Sequence, residues 1–180
     1  TRKASPLTDA LVREALPGGV RALPIAVRDG THASARRDMA LASLFSGLGL
    51  ANAGLGAVHG YAGPLGGMID IPHGAACAIL LAPCMKHNAD AALASGNTTL
   101  LDRLGELAWM LTGQTGGPNE VVDWAFRISS EVGIGKLSDY GFKEADIPGL
   151  IPKVQNASSM KGNPVELSCE ALETILKEAL

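Results

Sequence analysis

Between Leu41 and Ile69 the chain carries no Asp, Glu, Lys or Arg. An uncharged run of that length either crosses a bilayer or packs against other protein, and its composition separates the two. It is built largely of Ala, Gly and Ser rather than Leu, Ile and Phe, and it holds Asn52, His59 and Pro64. That composition argues against a membrane span. It predicts a helix buried in the middle of a helical domain, where small residues let backbones approach. The Gly56-x-x-x-Gly60 spacing supports close packing of the same kind.

Two histidines, His59 and His73, lie in or just beyond this run, among glycines, alanines and prolines. A neutral imidazole is the commonest protein metal ligand, and an imidazole in an apolar wall needs a partner to offset its burial. The pair is therefore the leading candidate for chemistry, with two satisfied core histidines as the alternative. His32 and His87 lack such surroundings and are expected at the surface.

Helix signals dominate the remainder. Ser5 is an N-cap with Pro6 at the first helical position, and Leu7, Ala10, Leu11 and Ala15 recur at helical spacing. Pro17-Gly18-Gly19 is expected to break or kink that helix, with a second piece running from Val20 to Val27. Thr31 is placed to cap a long helix over about 32–53. A short helix over about 57–65 and another starting at Pro72 follow. Leu100, Leu104, Leu107, Ala108 and Leu111 form a helical stripe. Val121, Val122, Ala125 and Ile128 mark another helix, residues 135–163 hold short ones, and Ser168 caps the last, to about Lys177. No segment of four or more residues alternates cleanly, so the chain reads as all-α, one helical domain over residues 1–180. Trp109, Trp124 and Phe126 are expected in the core, as are Cys77 and Cys84, as small hydrophobes.

Composition narrows the function. A net charge of −3 and 4% aromatic residues leave neither a basic footprint nor stacking platforms for nucleic acid. Three cysteines, none in a CxxC pair, suggest no disulfide framework and a reducing, cytoplasmic setting. The first residues, Thr1 to Pro6, lack the apolar core of a signal peptide, and the absence of an initiator Met suggests processing or a longer parent. Glycine clusters invite a dinucleotide reading, but Gly47-x-Gly49 is followed by Asn52, and Gly54-x-Gly56 by His59, where a third glycine belongs. Neither follows a strand. These glycines read as packing residues, so any nucleotide would be held by a domain outside this sequence.

The stretch from Met39 to His59, then Pro64-Leu-Gly-Gly, then Ile71-Pro-His-Gly-Ala-Ala-Cys-Ala-Ile-Leu-Leu-Ala-Pro83 resembles the helical core of the iron-containing (group III) alcohol dehydrogenases. Ser5-Pro-Leu-Thr-Asp-Ala-Leu11 and Asn163-Pro164 fit as well. Members of that family join an N-terminal α/β nucleotide-binding domain to a C-terminal helical domain that holds the metal, and this chain resembles the second. The resemblance implies hydride transfer between a small alcohol or aldehyde and NAD(P). It implies that His59 and His73 are two of the ligands of a divalent metal, Fe or else Zn, while an aspartate and a first histidine would come from upstream of Thr1. Many relatives carry a further histidine four residues after the first of these; here that position is Gly63. Tyr61, Gly63 and Asp70 are weaker candidates for a substrate pocket, Tyr61 with packing as the alternative. Asp70 could instead orient His73 or stand as a solvated loop carboxylate. Asn52 is expected to hydrogen-bond a neighbouring helix end.

The expected activity is that of an iron-type, NAD(P)-dependent alcohol dehydrogenase, inactive as the isolated chain. A maleylacetate-reductase-like oxoacid reductase and a non-catalytic helical remnant that binds a partner are the alternatives. Loss of an N-terminal domain would expose an apolar wall, which predicts a homo-oligomer, most simply a dimer.

Overall fold

The computed structural model describes residues 1–180 and is helical throughout. Eight α-helices, α1 (Pro6–Arg28), α2 (Ala33–Ala53), α3 (Ala57–Gly66), α4 (His73–Ser95), α5 (Thr98–Thr112), α6 (Pro118–Glu131), α7 (Ile147–Asn156) and α8 (Cys169–Glu178), are joined by short connections. Three 3₁₀ turns, Leu137–Tyr140, Glu144–Asp146 and Ser158–Gly162, complete the chain.

Local chemistry accounts for most of the helix ends. Ser5 and Thr8 form a reciprocal capping box at the start of α1. Ser168 Oγ accepts from Ala171 N at the start of α8, and Asn97 Oδ1 accepts from Leu100 N at the start of α5. At the start of α2 the cap is His32 rather than Thr31: its exposed ring accepts from Ala35 N at 3.3 Å. Gly54 ends α2 with φ +74°, a conformation that favours glycine, and the chain turns by 97° into α3. No single helix is long and apolar enough to cross a membrane.

The expected break at Pro17 does not occur. Helix α1 runs through Pro17 and Pro24, and the adjacent glycine serves approach rather than interruption: a Cβ on Gly19 would lie 2.9 Å from Ala42 Cβ of α2. Packing of α1 on α2 at this point offsets the backbone bonds that proline omits.

The main core joins α3, α4, α7, α8 and the first 3₁₀ turn, with Tyr61, Leu65, Leu80, Leu137, Leu150 and Ile175 all sealed from solvent. A smaller cluster of Ala89, Leu104, Ala108, Leu111 and Val121 ties α4, α5 and α6 together, and Leu16 and Val20 of α1 pack on it. Asp9 receives a bidentate pair from Arg103 at 2.7 and 2.8 Å, which fastens α1 to α5 at the surface.

Three core expectations are corrected. Helix α2 is not buried in the middle of the domain: only Ala35 and Gly49 are buried, and Leu41, Leu44, Leu48 and Leu50 are exposed. From Met39 onward the helix is uncharged on every side, and α1 covers one of them. Trp109 and Phe126 stand outside the core, 59% and 45% exposed, because Leu104, Ala108 and Leu111 of α5, and Val122, Ala125 and Ile128 of α6, occupy the inward stripes. Asn52 bonds its own helix, Nδ2 to Leu48 O at 2.8 Å, rather than a neighbouring one.

Candidate metal centre

Helices α3 and α4 are consecutive, and the segment between them is short and rich in glycine. Met68 N and Ile69 N donate to Leu65 O, and Ile71 N donates to Ile69 O, which turns the chain back on itself. Pro72 precedes α4 and, at φ −57°, is set for a helix start. His73 therefore opens α4 while His59 sits in the first turn of α3.

The turn brings the two rings together, with centroids 5.4 Å apart and planes inclined by 47°. His73 is exposed and His59 is half-buried. Burial, and then the neighbouring charge of His73, lowers the His59 pKa from its ordinary value, which favours the neutral imidazole. A neutral ring is the form that binds metal.

A third donor stands with them. Cys77, half-buried on α4, places Sγ 3.5 Å from His73 Nε2. The donor atoms of His59, His73 and Cys77 lie within 4.8 Å of one another. Burial raises the Cys77 thiol pKa. Reading Cys77 only as a core hydrophobe missed this group, although His73-x-x-x-Cys77 at a helix start is the i, i+4 spacing that puts two side chains on one face. Imidazole and sulfur suit a borderline divalent ion, so the residues fit the metal that the sequence suggests.

The start of α3 is held from far along the chain. Gly56 has no side chain to cap it, and the buried Asn163 takes that role: Oδ1 accepts from Ala57 N at 3.0 Å, while Nδ2 donates to Val165 O at 2.8 Å and to Asn88 Oδ1 at 2.6 Å. Gly56 and Gly60 lie against this segment, where Cβ atoms would fall 3.1 Å from Asn163 Oδ1 and 2.9 Å from Met160 Cε. The spacing read as close packing is used for the 158–163 turn.

A cavity of about 520 Å³ lies between α1 and α2, walled by Val12, Leu16, Leu23, Met39 and Leu50, and His59 lines it. Gly63 is exposed, one turn after His59, and a Cβ there would meet nothing within 4 Å. The remaining candidates fall elsewhere. Tyr61 is fully buried and its hydroxyl donates to Leu172 O at 2.9 Å, so it braces α3 against α8 instead of lining a substrate pocket. Asp70 is exposed and makes no bond to His73. His87 is not a surface residue: its side chain is 14% exposed, with Nε2 3.5 Å from Glu178 Oε2.

Comparison with known proteins gives a consistent result. The model of the Fe-containing alcohol dehydrogenase family, C-terminal, matches residues 1–180. The 1,3-propanediol dehydrogenase of Klebsiella pneumoniae is 32% identical over 182 aligned positions, covering 99% of this chain and 46% of that protein. The lactaldehyde reductase of Escherichia coli K12 is 34% identical, covering 94% of this chain and 44% of that protein. A crystal structure of 1,3-propanediol oxidoreductase superposes with a TM-score of 0.89 at 30% identity, over 99% of this chain and 47% of that one. An alcohol dehydrogenase from Oenococcus oeni gives 0.86 at 28% identity, over 99% and 46%. The chain thus spans about half the length of the curated relatives it matches. Over its whole extent it belongs to the Fe-containing alcohol dehydrogenase family and has the all-helical fold of that family's C-terminal domain.

Proposed function

We propose that this chain is the metal- and substrate-binding domain of an NAD(P)-dependent alcohol dehydrogenase, working beside a nucleotide-binding domain that supplies the nicotinamide. The observation that carries this reading is the meeting of His59 and His73, from the first turns of two helices, with their rings 5.4 Å apart. A divalent metal bound there, iron by family or else zinc, supplies Lewis acidity to an alcohol or carbonyl oxygen.

The chain's own residues do the rest. His59 and His73 bring ligand nitrogens close enough, within 4.8 Å, to share one ion. The apolar cavity that His59 lines receives the carbon chain of a small alcohol or aldehyde and excludes water from it. Gly63 has no side chain to hold or move a proton, so the proton of the alcohol passes to solvent or to a group of the nucleotide-binding domain. The only cationic side chain lining the cavity, Arg103, is already bound by both oxygens of Asp9. An oxoacid carboxylate would find no free cationic side chain of this chain there, which favours a neutral alcohol over a maleylacetate-like substrate.

The test is alcohol-dependent reduction of NAD(P)⁺ by the protein together with its nucleotide-binding domain. Activity is expected to fall at least ~100-fold in His59→Ala and His73→Ala, and the 180-residue chain alone should show none. Full activity in either variant, or turnover by the chain alone, contradicts the reading.

A further inference from the structure

His73 opens α4 and Cys77 follows one helical turn later. At metal–nitrogen and metal–sulfur distances of about 2.0–2.1 and 2.3 Å, a tetrahedral site puts nitrogen and sulfur roughly 3.5 Å apart. Cys77 Sγ already stands 3.5 Å from His73 Nε2, and the nearest donor of His59 completes a triangle with no side beyond 4.8 Å. The thiol has no other hydrogen-bond partner. The other cysteines are placed differently: Cys84 is fully buried in the core, and exposed Cys169 faces Glu173 at 3.9 Å.

We propose that Cys77 is a further metal ligand, so that this chain contributes a His59–His73–Cys77 donor set to the ion, and that the thiolate biases the site toward zinc over ferrous iron. The proposal rests on the reading of His59 and His73 as metal ligands. Soft thiolate donors favour zinc, whereas a set of imidazoles and carboxylates leaves iron and zinc more evenly matched. No side chain and no other segment of the chain comes within 4 Å of where a Cβ on Gly63 would stand, so the surface one turn after His59 is open. Binding breaks the S–H bond and forms the metal–sulfur bond; the proton leaves to water, and no electron is transferred.

Cobalt(II) is the probe, because thiolate and imidazole ligation give separate absorption signatures. The purified protein carries Cys169→Ser, which removes the exposed thiol. The expected result is one cobalt per chain, with visible d–d bands of a four-coordinate ion and a near-ultraviolet thiolate-to-cobalt charge-transfer band. Cys77→Ala then removes the charge-transfer band and keeps weaker d–d bands from the two histidines. Its zinc affinity drops by no less than the roughly 10–100-fold that loss of an outer-shell partner costs. Helical circular dichroism of each variant verifies the fold. Cobalt bound without a charge-transfer band, and with equal zinc affinity in Cys77→Ala, overturns the role of Cys77 and leaves the two-histidine site standing. Absence of cobalt binding overturns both.

Discussion

Replacing Asn163 with alanine tests how the fold holds His59 in place. The side chain is 3% exposed and spans three separate parts of the chain: the start of α3, the middle of α4 and the strap leading to α8. Alanine leaves Ala57 N, on a residue 2% exposed, without its acceptor, and it leaves Val165 O without its donor. Loss of a helix cap costs about 0.5–2 kcal/mol. A buried polar group left without a partner costs about 1–3 kcal/mol, with the lower figure fitting Val165 O at the edge of the core. Together they give a destabilisation of about 1.5–3 kcal/mol, or a fall in Tm of roughly 3–12 °C for a domain of this size. Asn163→Asp keeps an acceptor for Ala57 N but cannot donate to Val165 or Asn88, so it should fall between wild type and alanine. Urea denaturation followed by circular dichroism measures all three. A change below about 0.5 kcal/mol in Asn163→Ala, the range of neutral surface substitutions, would refute the assignment of Asn163 as the clasp of α3.

Three further outcomes follow from particular contacts. Gly162→Ala should destabilise by at least ~1–3 kcal/mol, because its Cβ would fall 2.2 Å from the backbone oxygen of Leu55, whereas Gly60→Ala meets the mobile end of Met160 at 2.9 Å and should cost less; the two melting temperatures give the order. The Arg103 bonds hold the Asp9 pKa below its ordinary 3.8, and the Arg13 pair holds Glu106 below 4.5. The unfolded chain therefore takes up these protons first as the pH drops below about 4.5. The stability they contribute is present above that range and lost below it, and Asp9→Asn should flatten this acid limb in denaturant titrations across pH 2–5. Leu41, Leu44 and Leu48 on exposed α2 should bury themselves in a dimer seen by light scattering, which Leu44→Glu dissociates; a strictly monomeric wild type at high concentration counts against it.

The punctuation of the helices was legible because it is local. Ser5, Pro6, Pro72 and Ser168 act within one turn of themselves, so their signals need no knowledge of the fold; Gly54 and Asn97 act as locally at α2 and α5 but were not read as helix ends. The three misplacements share a different origin. Whether Pro17 ends a helix depends on what packs beside it, here Ala42 through Gly19. Whether apolar α2 is buried depends on how many neighbours cover it, and composition counts apolar residues without counting partners. Trp109 shows the same limit, since its size suggests a core residue while its position on α5 turns it outward. The histidine pair was legible from its setting, and the short glycine-rich turn accounts for their meeting. Cys77 was overlooked because a cysteine on an apolar helix most often packs, and its partner His59 lies on another helix. Asn163 is more than a hundred positions from the helix it caps, and nothing local to either segment announces the bond.

On the proposed reading His59 and His73 hold one metal ion. Anomalous diffraction from crystals of the zinc-loaded protein, measured on both sides of the metal edge, tests it most directly. The prediction is a single strong peak about 2.1 Å from a ring nitrogen of each histidine. A map with no peak between them, or a peak that touches one ring while the other bonds elsewhere, would show that the two are structural histidines.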